Sequence, residues 1–234
     1  MTIEVFGAYN HICGINERDK ITVVIDALRS CSTITTALYN GCKQVIPVSS
    51  IEQARRVRDG YSKDEVIMGG EIDSKIISGF DLGNSPQQYT RDVVLNKSVI
   101  LKTNKGTKTI SRVKNLNVVL IGCMLNISAV AKEIENLDRD VIILNSGRLK
   151  KLSIEDLFTS GAIISRIGKK LKLDDLGVIA LTFYNEFKDV ANRIFKESSY
   201  GKELISLGLE ADIDYCLQQD VCGIVPFYRD GAII

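Results

Sequence analysis

The segment from Val23 to Thr33 joins an apolar run to residues that can hold a metal ion and an anion. The run ends on Asp26, Arg29 follows three residues later, and the hydroxyls of Ser32 and Thr33 come next. Carboxylates prefer hard cations such as Mg²⁺, whereas a guanidinium group and hydroxyls bind anionic oxygens. Because open α/β sheets bind ligands at the carboxyl ends of their strands, this segment predicts phosphoryl chemistry at a strand end.

A second loop carries further oxygen-bearing side chains after a predicted strand. Two glycines precede Glu71, and Asp81, Asn84 and Ser85 follow in the segment 79–86. Glycine allows the backbone to approach a ligand closely, and the short polar groups suit a hard cation or an anion. The same residue types also form turns that bind nothing, so this loop alone leaves both interpretations open.

Two more loops follow predicted strands. Gly106 and Thr107 begin a predicted helix whose free amides favour an anion, and Lys105 and Lys108 add positive charge there. The spacing of a nucleotide-binding P-loop is absent. The segment 145–148 forms the fourth loop and leads to Asp156 on the next helix.

Alternating strand and helix patterns predict a largely parallel sheet with helices on both faces. The C-terminal third is predicted to be helix-rich, with one long helix over Ile154–Leu173 after a Ser153 cap and a late strand at 223–228. The sequence also predicts a helix that Ser50 caps and an amphipathic helix over Ile127–Leu137 with Asn126 as its candidate cap. We expect residues 1–234 to form one compact unit, with a possible subdivision near residue 150. The helix near Leu152–Leu173 and those that follow could supply a homodimer interface.

The composition and net charge of the chain indicate which classes of binding partner to expect. The net charge is +1, with 30 Lys and Arg against 29 Asp and Glu, so neither nucleic acid nor an anionic membrane is expected to bind. No signal peptide or membrane span is expected, which makes the cytoplasm the default location. The six cysteines, which include Cys13 and Cys31, form no CxxC pair and are expected to be free thiols.

The order and spacing of these loops resemble the 2-phosphosulfolactate phosphatase family over nearly the whole chain. The resemblance rests on Ile25–Arg29 with Ser32 and Thr33, on the Gly-Gly-Glu ending at Glu71, and on three further features of the sequence. These are the Gly-Phe-Asp-Leu-Gly-Asn-Ser-Pro string at 79–86, Gly-Thr-Lys at 106–108 and the Val-Pro pair at 225–226.

The resemblance implies a three-layer α/β/α fold with a largely parallel or mixed central sheet. It also implies a Mg²⁺-dependent phosphatase that hydrolyses 2-phosphosulfolactate to sulfolactate and phosphate, a step of coenzyme M biosynthesis in methanogens. The expected substrate is therefore a small anionic phosphoester.

The combined hypothesis assigns roles by residue. We expect Asp26, Arg29 and Glu71 to be catalytic. The expected substrate-binding residues are Ser32, Thr33, Asn84, Ser85, Gly106, Thr107 and Lys108, and the expected Mg²⁺ ligands are Asp26, Glu71, Asp81 and Asp156. The general base stays unassigned, and Ser32 or Cys31 is an alternative covalent nucleophile without an adjacent histidine.

Several anion-binding positions depart from the family pattern. Ile72 stands where an arginine is usual, Lys108 replaces an arginine, and Arg148 adds a cation in the fourth loop. Lysine keeps the charge but loses the planar fork that binds phosphate through two hydrogen bonds. The alternative function is therefore a non-catalytic binder of a sulfonate or phosphate metabolite, whereas a purely structural role conflicts with so many polar strand-end loops.

Overall fold

The computed structural model describes residues 1–11, 19–104, 106–113 and 115–234. The expectations for Cys13 and Lys105 lie outside these ranges. The strands are β1 Thr2–Phe6, β2 Ile21–Ile25, β3 Gln44–Val48, β4 Val66–Ile72, β5 Lys75–Ile76, β6 Ser98–Lys102, β7 Val118–Gly122, β8 Val141–Asn145, β9 Lys172–Leu173, β10 Tyr228–Arg229 and β11 Ala232–Ile233. The helices are α1 Ser30–Tyr39, α2 Ile51–Arg58, α3 Arg91–Val94, α4 Gly106–Val113, α5 Ile127–Leu137, α6 Ile154–Arg166, α7 Asp175–Phe187, α8 Ala191–Glu197, α9 Ser199–Ser206 and α10 Glu210–Cys216.

The strands form two sheets. The first has the order β7-β2-β8-β1-β9 with parallel pairing throughout, and the second has the mixed order β10-β11-β3-β6-β4-β5. The predicted α/β class, with parallel and mixed strands and a helical C-terminal third, is confirmed. The division of the strands between two sheets was not predicted.

Burial on both faces explains the composition of the central strands. Every residue of β2, β6 and β8 is buried. Parallel strands covered by helices on both sides need such continuous apolar runs, because neither face meets water. Charged groups therefore lie at the strand ends: Asp26 comes directly after β2, and Lys102 is the last residue of β6.

Three local predictions were wrong or incomplete. The helix expected over Ile154–Leu173 ends at Arg166, because Lys172–Leu173 pairs with β1 as strand β9. The strand β1 itself was not predicted. The late strand expected at 223–228 is shortened to β10, which begins only at Tyr228, after Pro226. Strand pairing with distant residues decides these elements, and local propensity does not predict that pairing.

The helix N-termini were better predicted. Ser50 and Ser153 accept hydrogen bonds from the amides of Gln53 and Asp156, as helix caps do. Asn126 precedes α5, but its side chain accepts from the Cys123 amide instead of capping that helix. Within the described residues, no helix is long and apolar enough to cross a membrane.

Candidate active site

Polar residues from both sheets meet where the strands end. Asp26 follows β2, Glu71 lies near the end of β4, and Lys102 ends β6. The α1 helix begins at Ser30, immediately after the loop that carries Asp26 and Arg29. The candidate site therefore lies at the carboxyl ends of strands, the edge where open α/β sheets bind ligands.

Arg29 is the centre of a buried ion-pair network that joins the two sheets to the C-terminal helices. Its Nη2 atom donates to Glu71 Oε2, and its Nη1 atom donates to Asp212 Oδ2 at 2.5 Å. The Asn84 amide donates to Glu71 Oε1 at 2.9 Å. The Ser85 hydroxyl donates to Asp212 Oδ1 at 2.5 Å. The predicted residues Arg29, Glu71, Asn84 and Ser85 are thus brought together.

Charge and burial are balanced at this network. Burial alone lowers the pKa of the Arg29 guanidinium, but Glu71, Tyr200 and Asp212 together raise that pKa above its ordinary value. Arg29 therefore stays charged and neutralises one of its two carboxylate partners. Its Nε atom is buried and has no hydrogen-bond partner among the residues that the structure describes.

Asp26 lies against the start of α4. A Cβ atom added to Gly106 would stand 3.0 Å from Asp26 Oδ2 and 2.5 Å from Ser30 Cβ. Such a contact is too short for any side chain, so only glycine allows the helix to begin here. The buried Asp26 carboxylate, the start of α1 and the start of α4 are held together by this close approach.

Asp156 ties two site loops together from the first turn of α6. Its Oδ1 accepts from the Ala27 amide at 2.9 Å, and its Oδ2 accepts from the Gly147 amide at 3.0 Å. Both carboxylate oxygens are therefore engaged with the protein backbone. Asp156 sets the position of the Asp26 loop and of the 147–150 turn.

Four of the predicted substrate-binding residues lie near the site. The side chains of three of them are hydrogen-bonded to backbone carbonyls, and the fourth is exposed to solvent. Ser32 donates to the Ala27 carbonyl, Thr33 donates to the Asn84 carbonyl, and Thr107 donates to the Thr103 carbonyl. These hydroxyls fasten loops to helices. Lys108 is exposed on the first turn of α4.

Neither alternative nucleophile has a free reactive group. The Cys31 thiol is fully buried, and burial, followed by the charge of Asp26, raises its pKa well above the ordinary value. Its Sγ atom accepts from the Asp26 amide at 3.1 Å. A neutral, enclosed thiol is a poor nucleophile, and the Ser32 hydroxyl is committed to a carbonyl. The cysteines that the structure describes, Cys31, Cys42, Cys123, Cys216 and Cys222, are free and buried, as predicted.

Asp81 lies apart from the other carboxylates. It is exposed, and its Oδ2 accepts from the Met68 amide at 2.8 Å. Met68 precedes Glu71 by three residues in β4, a separation of ~10 Å along an extended strand. The structure therefore does not bring Asp81 to the Asp26 side of the site.

The four expected Mg²⁺ ligands do not form one coordination set. Glu71 is paired with Arg29, and Asp156 holds two amides. Within the described ranges, no three His, Cys, Asp or Glu side chains are grouped closely enough to hold a metal ion. Mg²⁺ often binds through one or two carboxylates plus substrate phosphate and water, and Asp26 fits that smaller requirement.

Sequence reasoning missed three residues that the fold brings to the site. Asp212 arrives from α10, 183 positions beyond its partner Arg29. Lys102 donates from Nζ to the Glu71 carbonyl and to Asn104 Oδ1, both at 3.2 Å. Burial, with Lys108 nearby, lowers its pKa. Arg148 was noted only as a departure. No local pattern marks Asp212, because its role depends on a distant partner.

The fold and site together define an α/β protein with a buried, charged site at its strand ends. A model of the family described as 2-phosphosulpholactate phosphatase matches residues 11–231, so the chain belongs to this family, as the sequence predicted. The family is one of phosphoric monoester hydrolases, and the predicted enzyme class is confirmed.

Individual relatives agree. A protein of Clostridium acetobutylicum named "Probable 2-phosphosulfolactate phosphatase" is 41% identical over 220 residues, which cover 93% of each chain. Proteins with the same name from Caldanaerobacter subterraneus and Clostridium novyi are 36% and 42% identical. The alignments cover 100% and 91% of this chain, and 98% and 90% of the relatives.

Proposed function

We propose that this protein is a Mg²⁺-dependent phosphatase that hydrolyses 2-phosphosulfolactate to sulfolactate and inorganic phosphate. The substrate assignment is supported by the family and by the names of full-length relatives. The observation that carries the proposal is the contact of Asp26 with the start of α4 at Gly106, beside the Arg29 ion-pair network. These groups suit a phosphoryl group and the cation that accompanies it.

The phosphoryl group would bind at the start of α4 and beside Asp26, because Asp26 and Gly106 are already too close for a group to lie between them. The positive end of a helix favours an anion, and Gly106 has no side chain to block its approach. Lys108 on the exposed surface of the first turn and Lys102 on the neighbouring strand add positive charge. These groups stabilise the charge carried by the oxygens of the transferring phosphoryl group.

In this proposal Arg29 and Glu71 form the ion pair that shapes the site, and neither takes part in the bond-breaking step. Arg29 occupies Glu71 and Asp212, which would otherwise present two unpaired negative charges to an anionic substrate. Asp156 holds the Asp26 loop through the Ala27 amide. With Arg29 paired to Glu71 and Asp212, Asp26 is the carboxylate that would hold a cation next to the phosphoryl site.

Asp26 would hold the Mg²⁺ together with phosphate oxygens and water. When bound there, the cation supplies charge neutralisation on the phosphoryl oxygens and activation of water. Hydrolysis adds water across the P–O ester bond, so the ester oxygen leaves as the hydroxyl of sulfolactate and the phosphorus leaves as phosphate.

The test is phosphate release from 2-phosphosulfolactate by chelator-treated protein, before and after Mg²⁺ is added back. We expect turnover only with Mg²⁺, and we expect Asp26→Asn to lower kcat at least ~100-fold, in the range seen when one electrostatic catalytic group is removed. Asp81→Asn is the matched control, because it changes a carboxylate that lies apart from Asp26 and the Arg29 network. Its kcat should stay within about threefold of the parent.

Two results would refute the proposal. The first is full turnover in the presence of chelator or by Asp26→Asn. The second is tight binding of sulfolactate without turnover of 2-phosphosulfolactate or of other small phosphoesters, which would identify a binding protein. Circular dichroism of each variant confirms that a loss of activity is not a loss of fold.

A further inference from the structure

A pocket of about 310 Å³ opens beside the cluster of Asp26, Arg29 and Glu71. Glu71 forms part of its wall, and Tyr200 of α9 forms another part. Tyr200 lies close enough to Glu71, Arg29 and Asp26 to be influenced by their charges. We call this space the side pocket. It adjoins the phosphoryl site, but the roles assigned above do not use it.

Two tight turns face the side pocket, and both are built from unusual residues. Asp73 and Ser74 have φ values of 49° and 62°, and Leu149 and Lys150 have the same pair of values. Turns with two positive φ values strongly prefer Asn-Gly or similar pairs. The leucine is also 83% exposed, so it gains no burial in return. Strained residues of this kind concentrate at ligand clamps.

Arg148 stands at the start of the second turn and is held from two sides. Its guanidinium lies over the Tyr200 ring, 4.6 Å from the ring centre, and its Nη2 atom pairs with Glu203. Ser74, from the first turn, is 3.2 Å from the Tyr200 hydroxyl and 3.3 Å from Glu203 Oε1. The two turns and α9 therefore hold the arginine in one orientation.

One donor of this arginine is left over. The Nη1 atom of Arg148 is buried and has no hydrogen-bond partner among the described residues. A buried donor without a partner is unfavourable, because it has lost its hydrogen bond to water and gained none in the protein. Because Arg148 lines the side pocket, a ligand group bound there can satisfy this donor.

The charges around the pocket favour a singly charged group. Arg148 and Lys150 are balanced by Glu203 and Asp73, and Glu71 is paired with Arg29. A doubly charged phosphate gains little from walls that are neutral overall. A sulfonate carries one charge and has three oxygens, so it can accept from Nη1 while contacting other wall groups.

We propose that Arg148 determines substrate specificity by donating from Nη1 to the sulfonate of the bound phosphoester. This inference rests on the proposed function. In 2-phosphosulfolactate the carboxylate is attached to the phosphoester carbon itself, whereas the sulfonate is one methylene further away. The sulfonate is therefore the group that reaches a pocket beside the phosphoryl site.

The experiment compares Arg148→Ala with Lys151→Ala, which removes the same charge from the same turn but lies outside the lining of the side pocket. Each protein is assayed for kcat/KM with 2-phosphosulfolactate and with 2-phospholactate, which lacks the sulfonate. Binding of sulfolactate and lactate is measured by calorimetry on the same samples. Arg148→Lys keeps the charge without the fork, and melting temperatures report on folding.

We expect Arg148→Ala to lower kcat/KM for 2-phosphosulfolactate about tenfold to a hundredfold and to weaken sulfolactate binding to the same extent. Its kcat/KM for 2-phospholactate should stay within twofold, and Lys151→Ala should change neither substrate by more than twofold. Arg148→Lys should fall between the parent and the alanine variant. A Lys151→Ala loss equal to that of Arg148→Ala would overturn the inference, as would equal losses on both substrates.

The calorimetry separates this inference from the proposed function. A parent protein that turns over neither ester refutes the proposed phosphatase activity, whatever Arg148 does. In that case, sulfolactate binding that depends on Arg148 still supports the specificity role. Sulfolactate binding unchanged in Arg148→Ala, or absent in the parent, overturns that role even if the protein is an active phosphatase.

Discussion

Replacing Arg29 by methionine tests the ion-pair network at the centre of the site. The substitution keeps much of the volume but removes the only charge that Glu71 and Asp212 share in the described network. The side chains of Arg29, Glu71 and Asp212 are 2%, 7% and 5% exposed, so water cannot take over the role of the guanidinium. Two negative charges would then face one another inside the protein.

The expected cost follows from this burial. Removing one partner of a buried ion pair costs about 3–5 kcal/mol, because the remaining charge is left uncompensated. Glu71 keeps its bond from Asn84 and Asp212 keeps its bond from Ser85, which argues against a larger loss. For a chain of this size the change corresponds to a melting temperature lower by about 6–20 °C.

Urea unfolding at pH 7 and pH 5 provides the measurement. A neutral carboxyl group is much cheaper to bury than a carboxylate, so the deficit of Arg29→Met should shrink as the pH falls. Lys196→Met is the matched control, because Lys196 also sits between two carboxylates, Glu210 and Asp214, but on the surface. This control should unfold close to the parent at both pH values.

The triple variant Arg29→Met, Glu71→Gln, Asp212→Asn completes the experiment. It removes all three charges, so it should recover much of the stability lost in Arg29→Met. The reasoning is refuted if Arg29→Met is no less stable than Lys196→Met. It is equally refuted if its deficit is the same at pH 5 and pH 7, because uncompensated carboxylates would then not be the cause.

Three further predictions concern the loops of the site. Gly106→Ala should lower phosphatase activity at least about tenfold, because its methyl group would meet Ser30; Ser30→Gly in the same chain should restore part of the loss, and no restoration would exclude this clash as the cause. Asp156→Asn should destabilise the fold by about 1–3 kcal/mol in urea unfolding, because an amide has one acceptor oxygen for two backbone donors; an unchanged midpoint would contradict this account. Cys31 should resist iodoacetamide at pH 8 in mass spectra of the native protein and react in urea, because burial raises its pKa well above the working pH; rapid native alkylation would show that the thiol is accessible.

Local signals were sufficient for much of the fold. Apolar runs such as β2 and β8 stand out because strands buried on both faces leave no room for alternation. The α5 helix was predicted with its observed bounds, Ile127–Leu137, because its apolar residues follow the helical period. The segment 167–173 was mispredicted as helix, since its pairing with β1 joins residues about 170 positions apart.

The candidate site divides in the same way. Asp26, Glu71 and Gly106 could be predicted, because each lies close to the end of a buried strand and a parallel arrangement brings strand ends together. The partners of these residues could not be predicted. Asp212 comes from a helix with no distinctive motif, and the fate of Asp156 depends on two backbone amides in loops far apart in sequence.

The sequence by itself therefore determined the α/β class, the family and the strand-end loops that carry the chemistry, because apolar periodicity and short motifs are local properties. Only the tertiary structure decided which carboxylates are already used. It committed Glu71 to a guanidinium and Asp156 to backbone amides, and it placed Asp81 against the Met68 amide in the middle of β4. Hydrogen-bond partners are assigned by three-dimensional proximity, and that information is not contained in residue type or spacing.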